Sequence, residues 1–223
     1  MTELDALLAE QVTYYRALAP EYVEDAGIEG VTEETYNAAT RTLNAALESA
    51  SPLGEVLELA CGPATFTSEL ARRATSIDAL DASPEMIEIA ATRTAQATNV
   101  RFVQADLFTW TPNRRYDFVF FGFWLSHVPP ERFASFWSTV ASALAPNGRV
   151  MFVDDGHRTT EELTHGPQSS TIERQLRDGR RFRAVKVALE PKPLERFLRD
   201  LGWAIEIQPL AGPFFLGSGR RAE

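Results

Sequence analysis

VLELACGPATFTSEL, residues 56–70, decides how the chain reads. It opens as an apolar strand, breaks at Cys61-Gly62-Pro63 and resumes with helical spacing. A strand that turns through a glycine into a helix start is a common place for a ligand, because unbonded backbone N–H groups point outward there. Dinucleotide loops at this position carry three glycines, as G-x-G-x-x-G. Read from Ala60, this chain offers Ala60, Gly62 and Thr65 instead, and Pro63 removes a donor from the turn. The loop argues against a nicotinamide cofactor and suits a small amino-acid group.

Working outward, the 223 residues are 44% hydrophobic and 24% charged, which suits one globular domain of ordinary size. The longest apolar runs, such as residues 118–125, fall far short of the roughly 20 residues that a membrane span needs. The opening MTELDALLAEQ is acidic and polar, unlike a secretory signal. The single cysteine, Cys61, excludes a disulfide framework and a Cys-rich metal site, and the expected compartment is the cytoplasm. A net charge of −9 repels phosphate backbones and counts against DNA as a partner. One local exception, RQLRDGRRFRAVK, gathers Arg174, Arg177, Arg180, Arg181, Arg183 and Lys186. It reads either as a solvated hairpin or as a site for an anionic substrate or partner.

Strand and helix patterns alternate after residue 54, predicting a mostly parallel α/β sheet with helices on both faces. Strands are expected at 55–59, 76–80, 100–104, 116–121 and 149–153, with helices at 65–73, 84–97 and 131–144. In the last helix Phe133, Phe136, Trp137, Val140, Ala141 and Leu144 follow the i, i+3, i+4, i+7 rule, and APNG should end it. The tail departs from alternation: a hairpin around Asp178-Gly179, a helix at 193–201, and strands at 204–208 and 214–217. Residues 2–18 and 32–50 read as amphipathic helices capping a sheet edge. The chain divides into an N-terminal helical cover (1–50), a core (55–155), a hairpin insertion (156–190) and a C-terminal part (191–223), all in one domain.

In open parallel sheets, ligands bind beyond the carboxyl ends of the strands, where strand order reverses. Only Gly62 in the first loop freely adopts positive φ. Asp81 ends the second strand, 19 residues beyond Gly62, where a carboxylate can accept both hydrogen bonds of a ribose diol. Asp106 ends the third strand in FVQADLF, where an acceptor suits an exocyclic amine.

These motifs together resemble the class I S-adenosylmethionine-dependent methyltransferases, over roughly residues 14–219. VLELACGPATFT is similar to their first motif, LDASPEMIEIA to the second, FVQADLFTW to the third and YDFVFFGFWLSHVPPERF to the fourth. LAPNGRVMFVDD matches the segment of their fifth strand, and YYRALAPEY their N-terminal cover. The resemblance implies a Rossmann-like seven-stranded sheet and S-adenosyl-L-methionine as cofactor. Its binding residues would be Tyr15, Tyr22, Glu58, Ala60, Gly62, Asp81, Ala82, Met86, Asp106, Leu107 and Phe121. Asp81 would take the ribose and Asp106 the adenine amine, with Met86 and Leu107 beside the ring. Family loops usually carry glycine where Ala60 and Ala64 stand, so a slightly displaced cofactor is expected. Glu58 either bonds loop amides or approaches the cofactor's amino group.

Methyl transfer asks the protein to align a nucleophile and exclude water. A hydroxyl acceptor must also lose a proton, whereas a neutral amine attacks with its lone pair. His127, after the fourth strand, is either the general base or a residue bonding backbone at a helix start. Asp155 and His157, past the fifth strand, are the other candidates; His165 reads as solvated. No metal is expected, since the carboxylate set of a hard-metal site cannot be assembled. Phe123 and Trp124 either pack in the core or line a pocket for a flat substrate. Members that methylate nucleobase amines carry Asn/Asp-Pro-Pro-aromatic at the fourth motif, which is missing here. The expected activity is therefore methylation of an oxygen or nitrogen on a small molecule, by a monomer or homodimer. A macromolecular acceptor and a non-catalytic cofactor-binding scaffold are the alternatives.

Overall fold

The computed structural model describes residues 2–22, 31–159, 166 and 169–222. Five strands joined by four parallel pairings build the cofactor half of the sheet: β1 (Gly54–Leu59), β2 (Ala74–Asp81), β3 (Val100–Gln104), β4 (Tyr116–Gly122) and β5 (Leu144–Asp155). After a separate hairpin, β6 (Thr171–Gln175) and β7 (Arg181–Val185), the chain returns as β8 (Trp203–Pro209) and β9 (Phe214–Arg221). β9 pairs antiparallel with both β5 and β8, giving the order β3-β2-β1-β4-β5-β9-β8. Each strand expected from the sequence lies within an observed one. The order reverses between β1 and β4, the position where α/β sheets open a crevice.

β1 sits at the centre because Val56, Leu57, Glu58 and Leu59 are all buried, as a strand covered on both faces requires. On one face Leu57, Phe121, Phe152 and Phe215 pack under α5 (Pro130–Ala143) and α6 (Pro191–Asp200). On the other, Val56, Phe118 and Phe120 pack under Leu43 and Leu47 of α2 (Glu33–Ser49) and Leu70 of α3 (Thr67–Ala71). The periodic residues of α5 face inward as expected: Phe133, Phe136, Trp137 and Val140 are buried.

Several boundaries differ for local reasons. α3 begins at Thr67 because the preceding loop spends Ala64 in the left-handed region, φ 66°. α4 (Pro84–Arg93) stops before residue 97, where Thr94 turns out of helical geometry and its hydroxyl bonds back to Ala90. APNG forms a turn, but inside β5. Tyr116 pairs with Leu144 and Phe118 with Arg149, so residues 145–148 bulge out, with Asn147 at φ 66°. The hairpin turns where Asp178-Gly179 predicts, with Gly179 at φ 88°.

α1 (Glu3–Tyr22) runs through Pro20 and so extends to Tyr22. It does not cap a sheet edge. One side meets the hairpin, where Arg183 donates Nε–H to Glu10 and Tyr14 packs on Phe182. The other side reaches α4, where Arg16 donates two N–H groups to Glu85. α1 and the hairpin thus roof the carboxyl ends of the strands. His165 lies outside the described residues.

Candidate active site

Beneath α1, at the strand reversal, lies a cavity of about 140 Å³. Its floor comes from the first loop, through Ala60, Gly62 and Pro63. Asp81, Ala82 and Met86 line one wall, Asp106 and Leu107 another, and Tyr15 and Tyr22 descend from the roof. Phe123, Trp124 and His127 close the end beyond β4. Nine of the eleven residues that the resemblance assigned to the cofactor therefore share one cavity.

The first loop turns by placing Ala60 (φ 52°), Gly62 (φ 52°) and Ala64 (φ 66°) in the left-handed region. Glycine is unstrained there and alanine is not, which explains why related loops favour glycine at these places. A Cβ on Gly62 would meet nothing within 4 Å, so a side chain there would project into open space. Gly62 N–H donates to Asp81 Oδ2 at 2.9 Å, and Ser83 N–H to Oδ1 at 2.8 Å. Two backbone donors thus fix the Asp81 carboxylate at the loop, while each oxygen keeps a lone pair for a ligand. Burial raises the Asp81 carboxyl above its usual range, and the amides of Ser83 and Gly62 oppose that rise. Asp106 accepts Phe108 N–H through one oxygen at 2.9 Å, which leaves the other available. A diol acceptor, an amine acceptor, an apolar slot at Met86 and Leu107, and an open glycine backbone fit an adenosine carrying an amino-acid tail.

Two assigned residues lie elsewhere. Phe121 is wholly buried, stacked on Phe152 at 5.1 Å, and belongs to the core rather than the cavity. Its ring sits within β4, whereas the cavity opens at and past the strand's end, at Gly122, Phe123 and Trp124. Glu58 is buried beneath the loop, with Oε2 unbonded, and burial pushes its carboxyl up to about 8.

The acceptor end differs from a simple exposed base. His127 lies in the turn Leu125–His127 after β4, and its Nδ1 is 2.6 Å from the carbonyl oxygen of Val185 on β7. A carbonyl only accepts, so Nδ1 carries the proton and Nε2 is the lone-pair nitrogen. Nε2 accepts the Tyr15 hydroxyl at 3.0 Å. Burial, reinforced by the charge of Lys186, pushes the imidazole down to about 3. The ring is therefore neutral, with both nitrogens engaged. Burial also raises the Tyr15 hydroxyl well above its usual range.

Asp155 and His157 stand behind this wall and do not line the cavity. Asp155 Oδ2 accepts from Lys186 Nζ at 3.1 Å, and its Oδ1 from His157 N–H at 2.8 Å. Lys186 Nζ also donates to Ser126 Oγ at 3.0 Å, while Asp154 takes the Ser126 N–H. This buried network joins the hairpin to β4 and β5. A second tie is Gln11, buried on α1, which accepts Val185 N–H at 2.8 Å and donates to the His127 carbonyl at 3.3 Å. The sequence does not mark Gln11 as a site residue, and it marks Lys186 only as one cation of the basic hairpin. The one local signal for Gln11 is a polar residue on the apolar stripe between Leu8 and Tyr15.

Comparison with known proteins agrees with this geometry. Residues 56–148 match the sequence profile of a methyltransferase domain. The structure of DhpI complexed with SAH superposes with a TM-score of 0.81 at 39% identity, over 97% of each chain. That of DhpI with SAM and HEP gives 0.82 at 38% identity, over 96% of this chain and 97% of that one. A malonyl-[acyl-carrier protein] O-methyltransferase of Ilyobacter polytropus is 26% identical over 129 residues, 57% of this chain and 47% of its own length. The chain thus spans about half the length of that curated relative. A loop that leaves its glycine open, two carboxylates at successive strand ends and a full-length relative at this identity lead to one conclusion: the chain belongs to the class I S-adenosylmethionine-dependent methyltransferases.

Proposed function

We propose that the protein methylates an oxygen of a small acidic molecule, and that this oxygen arrives already ionised. The observation that carries the reading is the state of His127. A hydroxyl acceptor would need a base, and the one histidine at the cavity among the described residues has Nδ1–H spent on Val185 and Nε2 spent on Tyr15. Protonating a ring held near 3 from a donor at neutral pH costs about 1.4 kcal/mol per pH unit. Relay of an acceptor's proton through Tyr15 ends on the same ring and meets the same cost. A carboxylate or phosphoryl oxygen needs no such step. Lys186 and Arg174, whose positive charges help to keep His127 neutral, also favour an anion beside it.

S-adenosylmethionine supplies an activated methyl group. Asp81 would hold the ribose, Asp106 the adenine amine, Met86 and Leu107 the ring faces, and the Ala60–Gly62 backbone the amino-acid end. Tyr15, fixed by His127, would offer its hydroxyl edge to the acceptor, and Phe123 and Trp124 would exclude water. The roof of α1 and hairpin favours a small acceptor over a macromolecule.

Transfer of labelled methyl from S-adenosylmethionine to pooled small carboxylates and phosphonates, neutral alcohols, and amines tests the reading. Label should appear in methyl esters of the acids, base-labile where the acceptor is a carboxylate and base-stable where it is a phosphonate. Label confined to ethers or methylamines, or to protein or RNA, would overturn it.

A further inference from the structure

At the opposite end of the sheet from the cofactor cavity, three arginines converge on one trough. Arg115 leads into β4, while Arg220 and Arg221 end β9. All three line a cavity of about 260 Å³ formed where residues 145–148 bulge from β5. Arg115 and Arg221 also border an adjoining hollow of about 460 Å³ along α5, so the two form one groove.

The charge balance of this groove is unusual for the molecule. The chain carries −9 overall, and its other arginines commonly sit against a carboxylate: Arg16 on Glu85, Arg101 and Arg114 on Asp78, Arg183 on Glu10. Among the described residues, no ion pair involves Arg115, Arg220 or Arg221, and no Asp or Glu lines either part of the groove. Two of the guanidinium groups are held in place by uncharged partners. Arg115 donates Nη1–H to the Leu144 carbonyl at 2.9 Å. Arg221 donates Nη1–H to the Leu201 carbonyl at 3.1 Å and lies 5.4 Å from the Trp203 ring centre. Each guanidinium has five N–H donors, so one carbonyl bond leaves the fork free for an oxyanion.

We infer that this groove binds a multiply charged small oxyanion, phosphoryl or polycarboxylate, at a site separate from the methyl-transfer centre. Fixed guanidinium forks suit such groups better than flexible ammonium groups do, because bidentate bonding costs less ordering. Three guanidinium charges with no carboxylate partner among the described residues match a ligand carrying two or more negative charges.

Titration of the intact protein with pyrophosphate and, separately, citrate tests the site, read by calorimetry and by the fluorescence of Trp203 beneath Arg221. At least one anion should bind in the presence of saturating S-adenosylhomocysteine, with affinity that falls as salt rises. Pyrophosphate alone binding would assign a phosphoryl ligand, and citrate alone a polycarboxylate. Arg115→Ser and Arg220→Ser should each weaken binding tenfold or more, with S-adenosylhomocysteine affinity and the circular dichroism spectrum unchanged. Absence of binding by both anions, displacement of the anion by S-adenosylhomocysteine, or affinity unchanged in both variants would overturn the inference.

Discussion

Tyr15 and His127 form a hydrogen-bonded pair across the cavity roof, Oη to Nε2 at 3.0 Å, with the ring's other nitrogen tied to Val185. The pair makes His127 a positioning residue for Tyr15, and the stability of the fold inherits its titration. A histidine whose folded pKa is about 3 binds fewer protons than the unfolded chain, where it titrates near 6.5. Its contribution is fully present above 6.5 and is lost as pH falls toward 3.

Glu58 has the opposite sign. Its carboxyl titrates near 8 when folded and near 4.5 when unfolded, so its contribution is present below 4.5 and is lost as pH rises to 8. Between 4.5 and 6.5 the two slopes oppose each other, each about 1.4 kcal/mol per pH unit. Glu58→Gln should therefore unmask a stability that rises with pH across that window, and it should stabilise the ligand-free protein at pH 8. Urea denaturation at half-unit pH steps checks this; identical profiles for variant and parent would refute it.

Asp81→Ala removes the acceptor for Gly62 N–H and Ser83 N–H as well as the expected ribose contact. Hydrogen bonds to a charged group are worth about 1.5–3 kcal/mol each, so S-adenosylhomocysteine affinity should drop roughly tenfold or more. Asp106→Ala should lose less, because one expected contact disappears while Met86 and Leu107 stay. Calorimetric titration of both variants ranks them, and the reverse order would contradict the assignment.

Ala64 stands at φ 66°, where a side chain costs about 1–2 kcal/mol and glycine costs none. Glycine's greater freedom in the unfolded chain takes back about 0.5–1 kcal/mol. Ala64→Gly should thus leave thermal stability equal or slightly higher. Gly62→Ala should cost about 1–2 kcal/mol of stability from φ alone, and its methyl group, projecting into the cavity, should abolish S-adenosylhomocysteine binding.

Gln11→Leu strips one partner each from Val185 N–H and the His127 carbonyl. Buried groups left unpaired cost about 1–3 kcal/mol each. Because Gln11 joins α1 to the hairpin and to the His127 turn, acceptor KM should rise more than cofactor Kd. Equal effects on both would show that Gln11 serves only the fold.

How far the sequence carried this reading depends on distance along the chain. The strands and the Gly62, Asp81 and Asp106 positions were legible because each is fixed by its own strand and by the next few residues. Phe121 differs by its place along the chain rather than by its face: Phe123, two residues on and past the end of β4, lines the cavity, while Phe121 packs on Phe152. The acceptor end was not legible. Whether His127 is a base depends on Val185, 58 residues away, and Tyr15, 112 residues away, and local spacing records neither. Lys186 likewise reads in sequence as one more cation of a basic hairpin, whereas its Nζ lies between Ser126 and Asp155.

The pH dependence of kcat/KM, measured with an acidic acceptor that the transfer assay identifies, tests the central claim most directly. With the acceptor ionised and His127 neutral throughout, the profile should stay flat from pH 6 to 8.5, and His127→Gln should lower it without changing its shape. A profile that rises with unit slope to a plateau near pH 6.5–7, and loses that limb in His127→Gln, would show His127 acting as a general base and would contradict the account.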